Sequence, residues 1–171
     1  MSRFKESIPD DKVVLDGDRL DVRLSLVGVC VDHLEILSGL ETGHIDERLL
    51  TEVRLADSFL AGYEDLDEGF TNWLRIFRQM LHDVFIRKLE ALLKSAASPK
   101  ELVNTGTAIL NLDATHEPAC RAVMLGLARQ GDSAGALRRY NALWKVLGDD
   151  FDTEPSLETQ ELVADIKNGA I

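Results

Sequence analysis

The sequence predicts an all-α domain of stacked helix hairpins, with a small β element at its N-terminal end. Three observations carry this. From Asp32 onward, apolar residues recur at 3- and 4-residue steps through several long stretches. Helix-start and helix-stop residues separate those stretches at short intervals, so neighbouring helices must fold back on one another. Before Asp32 the pattern changes to short apolar runs around Asp16-Gly17-Asp18, a hairpin signal.

The stretch Thr115–Leu147 is the most informative. Thr115 can cap a helix and Pro118 suits its first turn, where backbone N–H groups lack partners anyway. Ala119, Ala122, Val123, Leu125, Leu127 and Ala128 form its apolar face, and Gly131-Asp132 ends it. Asp132 then caps a second helix carrying Leu137, Tyr140, Leu143, Trp144 and Leu147. The small residues Ala122, Gly126 and Ala136 are expected to bring these two helices close together. Read alone, this is one hairpin of an all-α domain. The order Ala136, Tyr140, Leu143 also resembles the second helix of a tetratricopeptide unit, with Met124 and Leu127 on the facing helix. One 34-residue repeat earlier, Leu102 matches Ala136 and Ile109 matches Leu143, while Gly106 stands where Tyr140 stands later.

The remaining elements follow in order. Residues 1–11 read as a disordered lead. A two-stranded hairpin follows, which cannot bury its face alone, and Val27–Val31 is a third apolar run. Asp32 opens a short helix with Leu34, Leu37 and Leu40 facing in. A second helix is expected from Asp46 to Ala56, burying Ile45, Leu49, Leu50, Val53 and Leu55. Phe59–Tyr63 is an aromatic turn. Glu64, Asp65, Asp67 and Glu68 then mark a helix start, where acids are favourable, rather than a metal or acid/base site. The long helix spans Glu68–Ser95, with Phe70, Trp73, Leu74, Phe77, Leu81, Val84, Phe85 and Leu92 as its core face and a break expected near Arg87-Lys88. Trp73 and Trp144 should both be buried, so that truncating either costs roughly 3–5 kcal/mol. Ser98-Pro99-Lys100-Glu101 is a capping box for a helix to Asn111. Ser156 caps a last helix with Leu157, Leu162, Val163 and Ile166, the terminal cap a repeat stack needs.

Composition narrows the function. The 171 residues suffice for one domain, and 45% are hydrophobic, ordinary for a globular protein. No apolar run approaches the roughly 20 residues of a membrane span, and the polar start has no signal-peptide core. Cys30 and Cys120 sit in apolar runs and are expected to be buried free thiols. These features suit a cytoplasmic protein. Net charge is −11, unevenly spread: 17 acids and 7 bases in residues 1–69, 6 and 11 in 70–147, 7 and 1 in 148–171. A phosphate backbone would repel the whole chain, so no direct nucleic-acid binding is expected. There is no Gly-rich phosphate loop, no Cys or His pair at zinc spacing and no nucleophile elbow. The histidines His33, His44, His82 and His116 are scattered, and Asp16-Gly17-Asp18 lacks the later ligands of a calcium loop. The expectation is a protein that is not an enzyme, with no cofactor and no metal.

Several pieces, in order and spacing, carry a family resemblance. They are Phe59-Leu60-Ala61-Gly62-Tyr63, Trp73-Leu74-Arg75, His116-Glu117, Ala128-Arg129-Gln130-Gly131-Asp132, Ala136-Leu137-Arg138-Arg139-Tyr140, and Glu154-Pro155-Ser156 followed by Glu158-Thr159. Together, over about residues 31–166, they resemble the bacterial transcriptional activator domain of SARP-type regulators. The resemblance implies a tetratricopeptide-like fold that usually follows a winged helix-turn-helix. On it, residues 1–30 are a lead and β element resembling the junction with a DNA-binding domain, and 31–171 are the activator domain. With no helix-turn-helix present, the chain is expected to be either a piece of a longer regulator or a protein that works without one. The implied function is a protein–protein interaction or regulatory module, for oligomerisation, RNA polymerase contact or signal relay. Its partner would be RNA polymerase, a DNA-binding domain of the same regulator, or a second copy in a homodimer. The competing reading is a tetratricopeptide-like adaptor or regulatory domain of a larger signalling protein. Arg75, Arg78, Arg138 and Arg139 are the candidate partner surface, since bases concentrate in the middle of the chain.

The charge balance generates a direct test. An anisotropy titration of this chain at physiological salt should show no sequence-specific DNA binding, and tight, specific binding would overturn the charge argument.

Overall fold

The computed structural model describes residues 30–171 and the backbone of residues 15–17 and 22–24. The chain divides into two compact units, residues 1–38 and 39–171. In the first, β1 (Leu15–Gly17) and β2 (Val22–Leu24) pair antiparallel, with Leu15 opposite Leu24 and Gly17 opposite Val22. Asp16 and Gly17 therefore lie in a strand, not in the turn expected of them. The lead over residues 1–11, Asp18 and most of the Val27–Val31 run lie outside the described residues. Helix α1 (Asp32–Glu41) starts in this unit. It buries Ile36 and Leu40, one helical turn apart, and leaves Leu34 exposed, because Leu34 falls on the other side of the helix. Cys30, two residues ahead of α1, is exposed rather than buried; Cys120 is buried as expected.

The second unit opens with α2 (Glu47–Thr51). Asp46 caps it, its carboxylate accepting from Arg48 N–H at 2.9 Å. The helix stops well short of Ala56. Arg54 takes a left-handed backbone (φ 55°), and its N–H donates to Asn111 O at 2.7 Å, which turns the chain into a 3-10 turn over Leu55–Ser58. Val53 is consequently exposed, while Leu49 and Leu55 are buried.

Helix α3 (Glu68–Ser95) has Asp67 as its N-cap, accepting from Phe70 N–H, and continues unbroken through Arg87-Lys88. It buries Leu74, Leu81, Phe85 and Leu89. Trp73 is 46% exposed and Trp144 40% exposed, against the expectation of burial. Each tryptophan is one residue away from a buried position, Leu74 or Leu143, and one residue is about 100° of helix rotation. The 3–5 kcal/mol expected for truncating a core tryptophan does not apply to side chains so exposed.

Four more helices complete the unit: α4 (Pro99–Leu112), α5 (Glu117–Arg129), α6 (Ser133–Phe151) and α7 (Leu157–Lys167). The Ser98–Glu101 capping box is formed in both directions. Asp132 caps α6, and Gly131 takes the left-handed backbone (φ 84°) that lets the short α5–α6 turn close. The cap of α5 is His116, whose Nδ1 accepts from Ala119 N–H, rather than Thr115. Thr115 instead binds the Asp113 carboxylate through its N–H and hydroxyl. Leu157, at the start of α7, is exposed; Val163 and Ile166 are buried.

Packing follows chain order: α3 against α4, α4 against α5, α5 against α6, and α7 against both α5 and α6. This all-helical arrangement fits stacked hairpins, and Ile109 and Leu143, one repeat apart, are both buried. The close approach, however, is between α4 and α5. A Cβ on Gly126 would lie 2.7 Å from Pro99 O and 2.8 Å from Val103 Cγ2, and one on Gly106 would lie 2.6 Å from Val123 Cγ2. Gly126 thus faces α4, not α6 as the sequence pattern suggested.

This contact yields a prediction in which the sign is diagnostic. Gly→Ala inside a helix ordinarily stabilises by up to about 1 kcal/mol. Gly126→Ala should instead destabilise by about 1–3 kcal/mol through overpacking, measured by urea melts. A variant as stable as the parent would show that α4 and α5 do not approach so closely.

Candidate interaction surface

The surface is built where the Phe59–Tyr63 turn meets the first half of α3. Leu60 (φ 51°) and Gly62 (φ 91°) both take left-handed backbones, folding the turn tightly. Arg78 holds it in place. Its Nε donates to Phe59 O at 2.9 Å and its Nη2 to Glu64 Oε1 at 2.7 Å. Glu64 also accepts from Gly62 N–H, and the hydrogen bond from Arg78 is the main cause of its lowered pKa. The Thr71 hydroxyl adds contacts to the carbonyls of Glu64 and Asp67. Rings then run from the turn along the helix: Phe59 to Phe77 at 4.6 Å, Phe77 to Trp73 at 5.4 Å, and Trp73 to Phe70 at 5.4 Å.

Arg75 and Arg78 both line a cavity of about 520 Å³, together with Arg54, Asp57, Glu64 and His82. Arg54 is paired with Asp57 at 2.9 Å, and Arg78 with Glu64. Arg75 is exposed and donates only to the neutral Asn72 Oδ1, at 3.0 Å; among the described residues it has no acidic partner. The other two candidate arginines lie elsewhere, on α6. Arg138 is exposed, 3.7 Å from Asp132 Oδ2. Arg139 is half-buried, and its backbone O lies 3.9 Å from Cys120 Sγ. The structure brings Arg75 and Arg78 to one cavity and leaves Arg138 and Arg139 outside it. Arg78 acts as an internal tie there.

A second polar assembly was not legible in the sequence. The Glu117 carboxylate, at the start of α5, accepts from Ser156 N–H (2.9 Å), the Ser156 hydroxyl (2.6 Å) and the Thr159 hydroxyl (2.6 Å). Arg121 reaches the same hydroxyls and Glu158. Ser156 is the N-cap position of α7, but its hydroxyl makes no cap bond within its own helix. Glu117 supplies the acceptor instead and fastens α7 to α5. Burial works to raise the Glu117 pKa, but the hydrogen bonds from Ser156 and Thr159 and the Arg121 charge outweigh it, leaving it below the ordinary 4.5. The pieces His116-Glu117 and Glu154-Pro155-Ser156 were visible separately; their separation in sequence hid the contact.

A family model described as the bacterial transcriptional activator domain matches residues 53–167. The chain belongs to this family. No curated protein and no solved structure matches it. The bacterial transcriptional activator domain is a module of transcription regulators. The matched segment starts one residue before the left-handed Arg54 and ends with the last residue of α7, so it holds the arginine cavity and the Glu117 clasp. Helices α1 and α2 precede it. Among the described residues, no helix is long and apolar enough to cross a membrane.

The clasp predicts a pH dependence. A carboxylate with a lowered folded pKa stabilises the fold above its unfolded pKa, and loses that contribution as pH falls through the folded value. Glu117→Gln should therefore be less stable than the parent at neutral pH, by about 1–3 kcal/mol. The gap should narrow as pH falls below 4.5, as read by denaturant melts across pH. A gap independent of pH would remove the charge from the account.

Proposed function

We propose that this domain is the protein–protein interaction module of a bacterial transcription regulator, cytoplasmic and without catalytic activity of its own. It acts by presenting the arginine-lined cavity beside α3 to an acidic surface. Candidate partners are RNA polymerase, a DNA-binding domain of the same regulator, or a second copy. The single observation behind this reading is Arg75: it lines a cavity in which the neighbouring arginines are already paired. A guanidinium left without a carboxylate suits recognition of an incoming one, with bidentate geometry. Membership of the family supplies the transcriptional setting.

Arg75→Glu in the full-length regulator should lower transcription activation several-fold while leaving the thermal melt unchanged. Adding Arg138→Glu and Arg139→Glu tests whether α6 contributes. Arg78 is left intact, because it holds the Phe59–Glu64 turn. Binding to the partner should weaken with salt, as expected for exposed charges. Unchanged activation in the triple variant would refute the arginine surface.

A further inference from the structure

Helix α3 carries a second line of large apolar side chains that the fold does not cover. Trp73, Ile76 and Met80 are 46%, 54% and 51% exposed. Their spacing of three and four continues one heptad further through Asp83 and Arg87, and starts one turn earlier at Gly69. Phe77 and Val84, both half-buried, border the line on one side. Large apolar side chains repeating at three and four residues on one exposed helix face are the pattern by which helices pair.

We propose that this face of α3 pairs antiparallel with the same face of a second copy of the chain. The distribution of charge along the line selects both occupant and direction. In a parallel pair every position meets itself, so Asp83 faces Asp83 and Arg87 faces Arg87 in a desolvated seam, an arrangement that repels. An antiparallel pair centred midway between Ile76 and Met80 removes both conflicts. Ile76 meets Met80 of the second copy twice over. Trp73 lies opposite Asp83, whose carboxylate accepts from Gln79 and retains lone pairs for the indole N–H. Arg87, held among the described residues only by a 3.3 Å contact from its Nε to Asp83 O, lies opposite Gly69. Gly69 leaves room for the guanidinium, and Glu68 beside it supplies a carboxylate. The line is thus self-complementary in shape and in charge.

This proposal rests on reading the domain as an interaction module and supplies one of its partners. The test uses the full chain. Sedimentation velocity at micromolar concentration should show a dimer, and Ile76→Glu and Met80→Glu, both at exposed positions, should each give a folded monomer by circular dichroism. Arg87→Glu should weaken the dimer about tenfold, and Glu68→Arg combined with Arg87→Glu should restore it. In a Cys30→Ser background, a mixture of Ile76→Cys and Met80→Cys proteins should form a mixed disulfide more readily than Ile76→Cys forms one with itself. A monomeric parent, a dimer indifferent to Ile76→Glu, or preferential Ile76→Cys self-linking would each overturn the proposal. A monomeric parent whose activation is still lost with Ile76→Glu would assign the face to a different protein, leaving the module reading intact. A dimer that dissociates in Ile76→Glu without any loss of activation would uphold the pairing and count against its transcriptional role.

Discussion

Between α4 and α5 the backbones meet over two glycines, Gly106 on one helix and Gly126 on the other, with no room for a side chain at either. Each helix lays its glycine against branched or backbone atoms of its neighbour, Val123 and Ala119 O in one direction, Pro99 O and Val103 in the other. Such a contact has little tolerance, because close-packed interiors cannot absorb even one methyl group without displacement. The other helices are arranged around this pair. Helix α3 and the α2 region pack on α4, while α6 and α7 pack on α5. Holding the α4–α5 distance therefore holds the two ends of the stack in relation to each other.

The long helix α3 uses its two sides differently. One side buries Leu74, Leu81, Phe85 and Leu89 and joins the stack. The other keeps Trp73, Ile76 and Met80 in solvent. Between them, Arg78 ties the preceding turn to the helix, so the aromatic rings from Phe59 to Phe70 sit on a braced base. A partner meeting this surface would find a preorganised helix, which lowers the ordering cost of association. Arg78 supplies that bracing, and Arg54 is likewise paired with a carboxylate of the chain itself. Arg75 is the arginine of the cavity without an acidic partner among the described residues.

Much of the fold was legible in the sequence because it is set by interactions spanning four residues or fewer. Asp132 and the Ser98–Glu101 box cap the helices they were expected to cap, and the acids before Glu68 do mark a helix start, since a capping side chain reaches only the next turn. The family pieces were equally readable as an ordered series along the chain. The candidate site was half legible: Arg75 and Arg78 share a cavity as neighbours on one helix face, but nothing local shows that Arg78 is already bound to Phe59 and Glu64, 19 and 14 residues away.

By itself the sequence determined the helical class, most helix starts and the family. Tertiary structure alone decided which apolar line of α3 is buried, because Trp73 and Leu74 are adjacent in sequence and what separates them is the packing of α4 and the 3-10 turn against one side of the helix. It decided where α2 ends, through the Arg54 N–H bond to Asn111 O, and which helix Gly126 touches. It also joined Glu117 to Ser156 across 39 residues. The physical reason is one of range. Backbone propensity and capping act within a turn, whereas burial and charge pairing depend on the neighbour that folding brings alongside.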